Sequence, residues 1–314
     1  MDEQISRITQ PKKGISSRSA PSNVTSQTNS SLSSSSSVLK PLSKKLSTVF
    51  RSLFPQSLSP SSSPPPPKPN MVNPFFVILP LYIYPTPGAW DNFYSNITAN
   101  PALTFSIVIN PSSGPGTGST PDSNYIAGIS HLNSFSNTEL YGYVHTTEAT
   151  RSVSAMEADI KKYAGWASYA SADIHMDGIF FDEAPSTYTK TKYTTMQTVT
   201  QYANTTVSPP LKNIIYNPGV VPDSRYYALA TTINAFEDYY SNWSPSSYST
   251  VPAQYRAQST MLIHDFTDNL SQQNAVVQNV IAQGGWQGLY INNQSDYSDM
   301  SDLWASFCAD MTSA

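Results

Sequence analysis

A single cysteine, Cys308, stands in this 314-residue chain, so no internal disulfide is possible. Only four histidines occur, and neither a C-x-x-C pair nor an H-E-x-x-H motif is found. That scarcity argues against a zinc site and against metal-dependent hydrolysis, and neither metal nor cofactor is expected. Long apolar runs are missing as well. The best, Met71 to Tyr84, is interrupted by Asn73, Pro74 and Pro80, too broken to span a bilayer, and it reads as a first strand. The Met1 end is polar and lacks the charged-then-apolar layout of a secretion signal. Positive charge is sparse where a core can form: from residue 73 onward eight Lys or Arg face nineteen acidic residues, a net charge near −11. Nucleic acid is thereby an unfavoured partner of the folded part, because a basic stripe is needed to neutralise phosphates. Glycine-rich nucleotide loops are absent too. YIYPTPGAW, after the first apolar run, is not G-x-G-x-x-G, and INPSSGPG lacks the G-K-[ST] of a phosphate cradle.

What is present divides the chain at about residue 72. Residues 1–72 carry Ser and Pro runs (Ser31 to Ser37, Ser59 to Pro67) and nine basic against two acidic residues, and they read as a disordered basic tail. Residues 73–314 hold all five Trp and all twenty Tyr, enough to build one substantial core. Eight short segments rich in β-branched and aromatic residues recur through this body: Val77 to Ile83, Phe105 to Asn110, Leu140 to His145, Gly178 to Glu183, Asn213 to Asn217, Thr232 to Tyr239, Met261 to Phe266 and Gly288 to Asn292. Most are continuous apolar runs, as in LTFSIVIN, which suits parallel strands buried on both faces. Helical patterns lie between them, among them Ser152 to Trp166, Asp268 to Ala282 with Gly284 as a stop, and Ser301 to Met311, which packs Cys308 into the core. The spacing predicts an α/β fold, a (β/α)8 barrel of TIM type; a doubly wound open sheet is the competitor, and the missing phosphate loop counts against it.

In a barrel of this kind the working residues gather at the C-terminal ends of the strands. Those ends are polar here: Tyr82 and Tyr84 follow strand one, and Asn110, His145, Asp182 with Glu183, Asn217, Glu237 with Asp238, His264 with Asp265, and Asn292 end the others. GIFFDEAPS delivers two carboxylates on an apolar strand, and NAFEDYY delivers two more, two strands further round. Facing carboxylates with divergent pKa values are what glycosidic cleavage needs, one as acid and one as base or nucleophile. Alternation sends one of Asp182 and Glu183 away from the mouth, and likewise one of Glu237 and Asp238. The candidate substrate contacts are Tyr82, Tyr84, Asn110, His145, Asn217, His264, Tyr290 and Asn292, with Trp90, Tyr239 and Trp243 as further stacking surfaces. Asn110 and Asn217 each precede a proline, which suits a turn, and a mixed role as turn device and sugar contact is favoured for both. His145 and His264 read equally as core histidines bonded to backbone.

Taken together, PLYIYP, INPSSGPG, YGYVHT, DGIFFDEAP and YNPG resemble the spherulin-4-like family, spherulation-specific family 4, across essentially all of residues 73–314. That family includes fungal glycoside hydrolases of family 135, which cleave galactosaminogalactan, an α-1,4-linked polymer of galactose and N-acetylgalactosamine. The resemblance implies a TIM-like barrel and endo-acting hydrolysis. Carried over by motif, its strand-four acidic pair falls on Asp182 and Glu183 and its strand-six Glu on Glu237. It implies Asp182 and Glu237 as the catalytic pair, Glu237 as general acid and Glu183 as support. Expected partners are a polysaccharide and neither nucleic acid nor a membrane, for a monomer that the resemblance places outside the cell or in its wall. The other reading is a non-catalytic carbohydrate-binding or spore-wall protein on the same barrel.

Overall fold

The structure is a computed structural model that describes residues 75–313. The tail expected over residues 1–72 lies outside the described residues. Eight parallel strands close into a barrel in sequence order: β1 (Phe76–Leu81), β2 (Phe105–Ile109), β3 (Thr138–His145), β4 (Gly178–Asp182), β5 (Asn213–Asn217), β6 (Thr232–Tyr239), β7 (Ser259–His264) and β8 (Gly288–Ile291). The ring is sealed where Phe76 and Val77 pair with Gly288 and Leu289. The TIM-type architecture read from the spacing is the one observed, and the doubly wound alternative is not.

Helices α1 (Asp91–Ala99), α2 (Ser123–Asn133), α3 (Val153–Trp166), α4 (Lys190–Gln201), the single turn α5 (Ala253–Arg256), α6 (Leu270–Ala282) and α7 (Trp304–Thr312) form the outer layer. Side-chain caps set the starts of α2, α3, α4 and α6. Ser152 Oγ accepts from the Ala155 N–H at 3.3 Å, and Asn269 from Gln272 at 3.2 Å, so α3 and α6 begin one residue after each cap. Gly284, at φ +67, stops α6 as its position predicts. The strand–helix alternation is incomplete after β5 and β6. A short 3-10 turn, Ser224–Ala228, follows β5, and two more with α5 follow β6, where Pro245 and Pro252 interrupt any longer helix.

Apolar side chains fill both the barrel and the layer between barrel and helices. Trp90, Trp166 and Trp304 are essentially fully buried there, as is Cys308, whose thiol burial pushes well up. Gly142 in β3 shows how close that second layer approaches: a Cβ there would lie 2.5 Å from the Tyr163 ring of α3. Among the described residues no helix is long and apolar enough to cross a membrane.

Candidate active site

Strand β4 carries four buried residues, Gly178 to Phe181, and then Asp182. Phe180 and Asp182 share a strand face, and Tyr143 of β3 meets both. Its ring stacks on Phe180 at 6.4 Å, and its hydroxyl donates to Asp182 Oδ2 at 2.8 Å. Alternation therefore sends Asp182 into the mouth and Glu183 out. Glu183 is exposed, at φ +51, and its carbonyl is the group that is held, accepting from Thr146 Oγ1 at 2.7 Å and from the Glu148 N–H at 2.8 Å. The β3 loop that makes those bonds runs through three consecutive left-handed residues, Thr147, Glu148 and Ala149. Such local strain is held in place by surrounding contacts.

The second carboxylate needs an irregularity to reach the same place. Strand β6 slips register between Asn234 and Phe236, leaving Ala235 as the extra residue of a bulge. A bulge changes which side chains share a face. Asn234 and Glu237, three apart, consequently both face the mouth: the Asn234 amide lies 3.5 Å from Glu237 Oε2. Asp238 turns aside, accepting from the Tyr239 N–H and from Asn242.

Asn217, at the end of β5 and 6% exposed, joins the two carboxylates. Its Nδ2 donates to Asp182 Oδ1 at 2.8 Å and to Glu237 Oε2 at 2.6 Å, so those two oxygens lie at most about 5.4 Å apart. Its Oδ1 accepts from the Gly219 N–H at 3.1 Å and from Asn234 at 2.8 Å. The YNPG motif makes this possible: Gly219, at φ +67, lets the chain turn back so that its N–H meets the Asn217 side chain and its carbonyl accepts from the Glu237 N–H.

Tyr297, on the loop after β8, donates to Glu237 Oε1 at 3.1 Å. Tyr82 stands edge-on to both hydroxyl donors, 5.7 Å from Tyr143 and 5.9 Å from Tyr297. Burial first, and then nearby carboxylate charge, Asp182 for Tyr143 and both Asp182 and Glu237 for Tyr82 and Tyr297, push all three phenols well above their usual range. They are therefore neutral hydroxyl donors at any physiological pH. Glu183 adds to the field that keeps Tyr143 protonated.

Sequence expectation and geometry separate for the other candidates. Tyr82 lies at the carboxylates. Tyr84 is 47% exposed at the rim, where its hydroxyl accepts from Asn124 at 3.2 Å. Asn110 serves its loop: Oδ1 accepts from the Gly114 N–H at 2.9 Å, and His145 Nδ1 lies 3.3 Å from the Ser113 carbonyl of that same loop. His264 pairs with Asp265 at 2.7 Å beneath the ring edge of exposed Tyr239. Asn292 is fully buried; it donates to the Asp296 carbonyl and accepts from the Gln294 N–H, shaping the loop that delivers Tyr297. Tyr290 departs most from expectation. It is 2% exposed and packs against Trp304 and Phe307 in the outer layer, with its ring 6.3 Å from that of Tyr297. Trp90 is likewise buried.

Three residues at the site went unnoticed in the sequence: Tyr143, Asn234 and Tyr297. Tyr143 was readable, since Gly142 must face the crowded helix side and its neighbours the barrel interior. Asn234 was hidden by the bulge, and Tyr297 by lying in a loop without periodicity. Among the described residues no group of three His, Cys, Asp or Glu is placed to hold a metal ion.

Comparison with known proteins agrees with the barrel fold. Residues 76–311 match spherulation-specific family 4. The Physarum polycephalum protein Spherulin-4 is 35% identical over 169 residues, which cover 54% of this chain and 46% of that protein, so the match spans under half of that relative's length. The crystal structure of Aspergillus clavatus Sph3, solved in complex with GalNAc, superposes with a TM-score of 0.71 at 33% identity, over 77% of this chain and 99% of that one. On the match across three quarters of its length, the chain belongs to spherulation-specific family 4.

Proposed function

We propose that the protein is a glycoside hydrolase that cuts within α-1,4-linked galactosamine and N-acetylgalactosamine polysaccharides of the galactosaminogalactan type, with Asp182 and Glu237 as its catalytic pair. The observation that carries this reading is the pair itself: two carboxylates from β4 and β6, held on one amide nitrogen in the barrel mouth. The sugar class is supported by the Aspergillus clavatus relative, solved with GalNAc.

Roles follow from surroundings. Asp182 accepts from Asn217 at 2.8 Å and from Tyr143 at 2.8 Å, bonds that favour its charged form. It is the nucleophile. Glu237 has the longer hydroxyl contact, 3.1 Å to Tyr297, and is the general acid. Asp182 attacks the anomeric carbon as the glycosidic C–O bond breaks, and Glu237 gives its proton to the leaving oxygen. Glu237 then takes a proton from water, whose oxygen attacks the anomeric carbon and frees Asp182. Two carboxyls whose nearer oxygens lie within about 5.4 Å suit this double displacement, for which the carboxyls stand about 5–5.5 Å apart. Glu183 supports from the rim through its charge, Tyr82 lines the floor, and Tyr84 offers a ring for a sugar face further out.

The test is incubation of the full chain with galactosaminogalactan before and after de-N-acetylation, with mass spectrometry of released oligosaccharides. Release by the wild type, lost in Asp182→Asn and Glu237→Gln, is the expected result. Binding that survives both substitutions, with no release by the wild type, would move the reading to a non-catalytic wall-associated protein.

A further inference from the structure

We infer that Asn217 is the positioning residue that sets both the spacing and the charge of the Asp182/Glu237 pair, and that it does not contact sugar. The inference rests on reading those carboxylates as the catalytic pair. A side-chain amide has two N–H donors and one oxygen with two lone pairs. Asn217 commits all four: one N–H to each carboxylate, and its oxygen to the Gly219 N–H and the Asn234 amide. Nothing is left to offer a sugar hydroxyl.

The orientation of that amide is locked by the charges it touches. Turning the Asn234 amide over would bring its nitrogen within 3.1 Å of the Phe236 and Thr260 carbonyls, but would set its oxygen 2.8 Å from Asn217 Oδ1. Two acceptors can face each other so closely only if Asn217 turns too, and Asn217 would then aim its oxygen at both carboxylates. While Asp182 and Glu237 are charged, neither amide turns.

Tyr82 after β1, Tyr143 from β3 and Tyr297 from the loop after β8 face the pair, while Glu183 beyond β4 and Asp238 on β6 are its chain neighbours and turn aside. His145 stands opposite Asp182 in the β3–β4 register, and His264 opposite Tyr239 in that of β6 and β7. Of these, Tyr143 donates to Asp182 and Tyr297 to Glu237, each to one carboxylate only. Asn217 donates to an oxygen of each carboxylate from one nitrogen, and so offsets their mutual repulsion.

Carboxyl-carbon NMR titration of the folded full chain tests this without any substrate. In Asn217→Ala the Asp182 midpoint moves to higher pH, since that carboxylate loses a charge-assisted N–H bond. In the unaltered protein the Asn217 side-chain amide resonances move with the Asp182 midpoint. With polymer as substrate, kcat of Asn217→Ala falls about tenfold or more, KM holds, and the acid limb of the pH profile shifts upward. An Asp182 midpoint that stays in place in Asn217→Ala, amide resonances blind to the titration, or a change confined to KM would each overturn the inference. Because the titration needs no turnover, a protein that cleaves nothing would sink the hydrolase reading and leave the clamp testable.

Discussion

Replacing Tyr143 by Phe removes one hydroxyl and tests which carboxylate does which job. The Tyr143 ring is packed on Phe180 at 6.4 Å and edge-on to Tyr82 at 5.7 Å, so phenylalanine keeps those contacts and the fold survives. What is lost is the 2.8 Å bond to Asp182 Oδ2. A hydrogen bond to a charged group is worth about 1.5–3 kcal/mol, or roughly one to two pH units in the carboxylate that loses it. Losing a donor to the ionised form raises the pKa, so Asp182 stays protonated to higher pH and the nucleophile is lost there. In kcat/KM against pH, the acid limb moves up by that amount and the bell narrows from its acid side. Tyr297→Phe gives the complementary result. It removes the 3.1 Å bond to Glu237 Oε1, lowers the rate, and leaves the acid limb in place. Rates of reducing-end release from galactosaminogalactan over pH 3 to 9, with melting temperatures to confirm folding, give both profiles. Tyr143→Phe moving the alkaline limb and Tyr297→Phe the acid limb would reverse the two roles. Full activity with unmoved limbs in both variants would refute the proposed chemistry.

Three other outcomes are expected. Proton NMR of the newly formed reducing ends shows them first in the α configuration of the bond cleaved; initial β products would contradict the pair separation argued above. Gly142→Ala forces a Cβ to within 2.5 Å of the Tyr163 ring, which is fully buried with its hydroxyl on the Ile109 carbonyl, and lowers stability by about 1–3 kcal/mol, or roughly 2–10 °C in melting temperature; an unchanged melting curve would show that α3 yields freely. His175, in the loop before β4, bonds Asp177 and Asp173, and these carboxylates raise its pKa. The stability it adds is fully present below the unfolded histidine value near 6.5 and is lost as pH rises through the higher folded value. Melting temperatures of His175→Gln should therefore lack the decline that the wild type shows above that point, and parallel curves would show that the pair adds nothing.

The barrel was legible because parallel strands buried on both faces leave continuous apolar runs that only their polar ends interrupt. Those same ends located Asp182 and Glu237, yet the register of β6 could not be read. A strand written as TINAFEDY alternates strictly on paper, which would put Asn234 and Phe236 on one face and Ala235 and Glu237 on the other. The slip at Ala235 reverses that pairing, and no residue in the run announces it, since alanine is compatible with either geometry. Tyr290 fails for the opposite reason. Its strand is regular, and the side it takes follows from neighbours on α7 that lie far along the chain.

Asn217 shows why a turn reading and a functional reading need not compete. Its oxygen closes the YNPG turn at the Gly219 N–H, as an asparagine before proline and glycine is expected to do. That bond fixes which way the amide faces, and therefore that its nitrogen, with two hydrogens, is the end presented to the mouth. A residue chosen for its turn thus arrives with a donor aimed between two acids. Placing acids at strand ends is within reach of pattern alone; holding their oxygens within about 5.4 Å of each other draws on a neutral donor pre-set by local backbone chemistry.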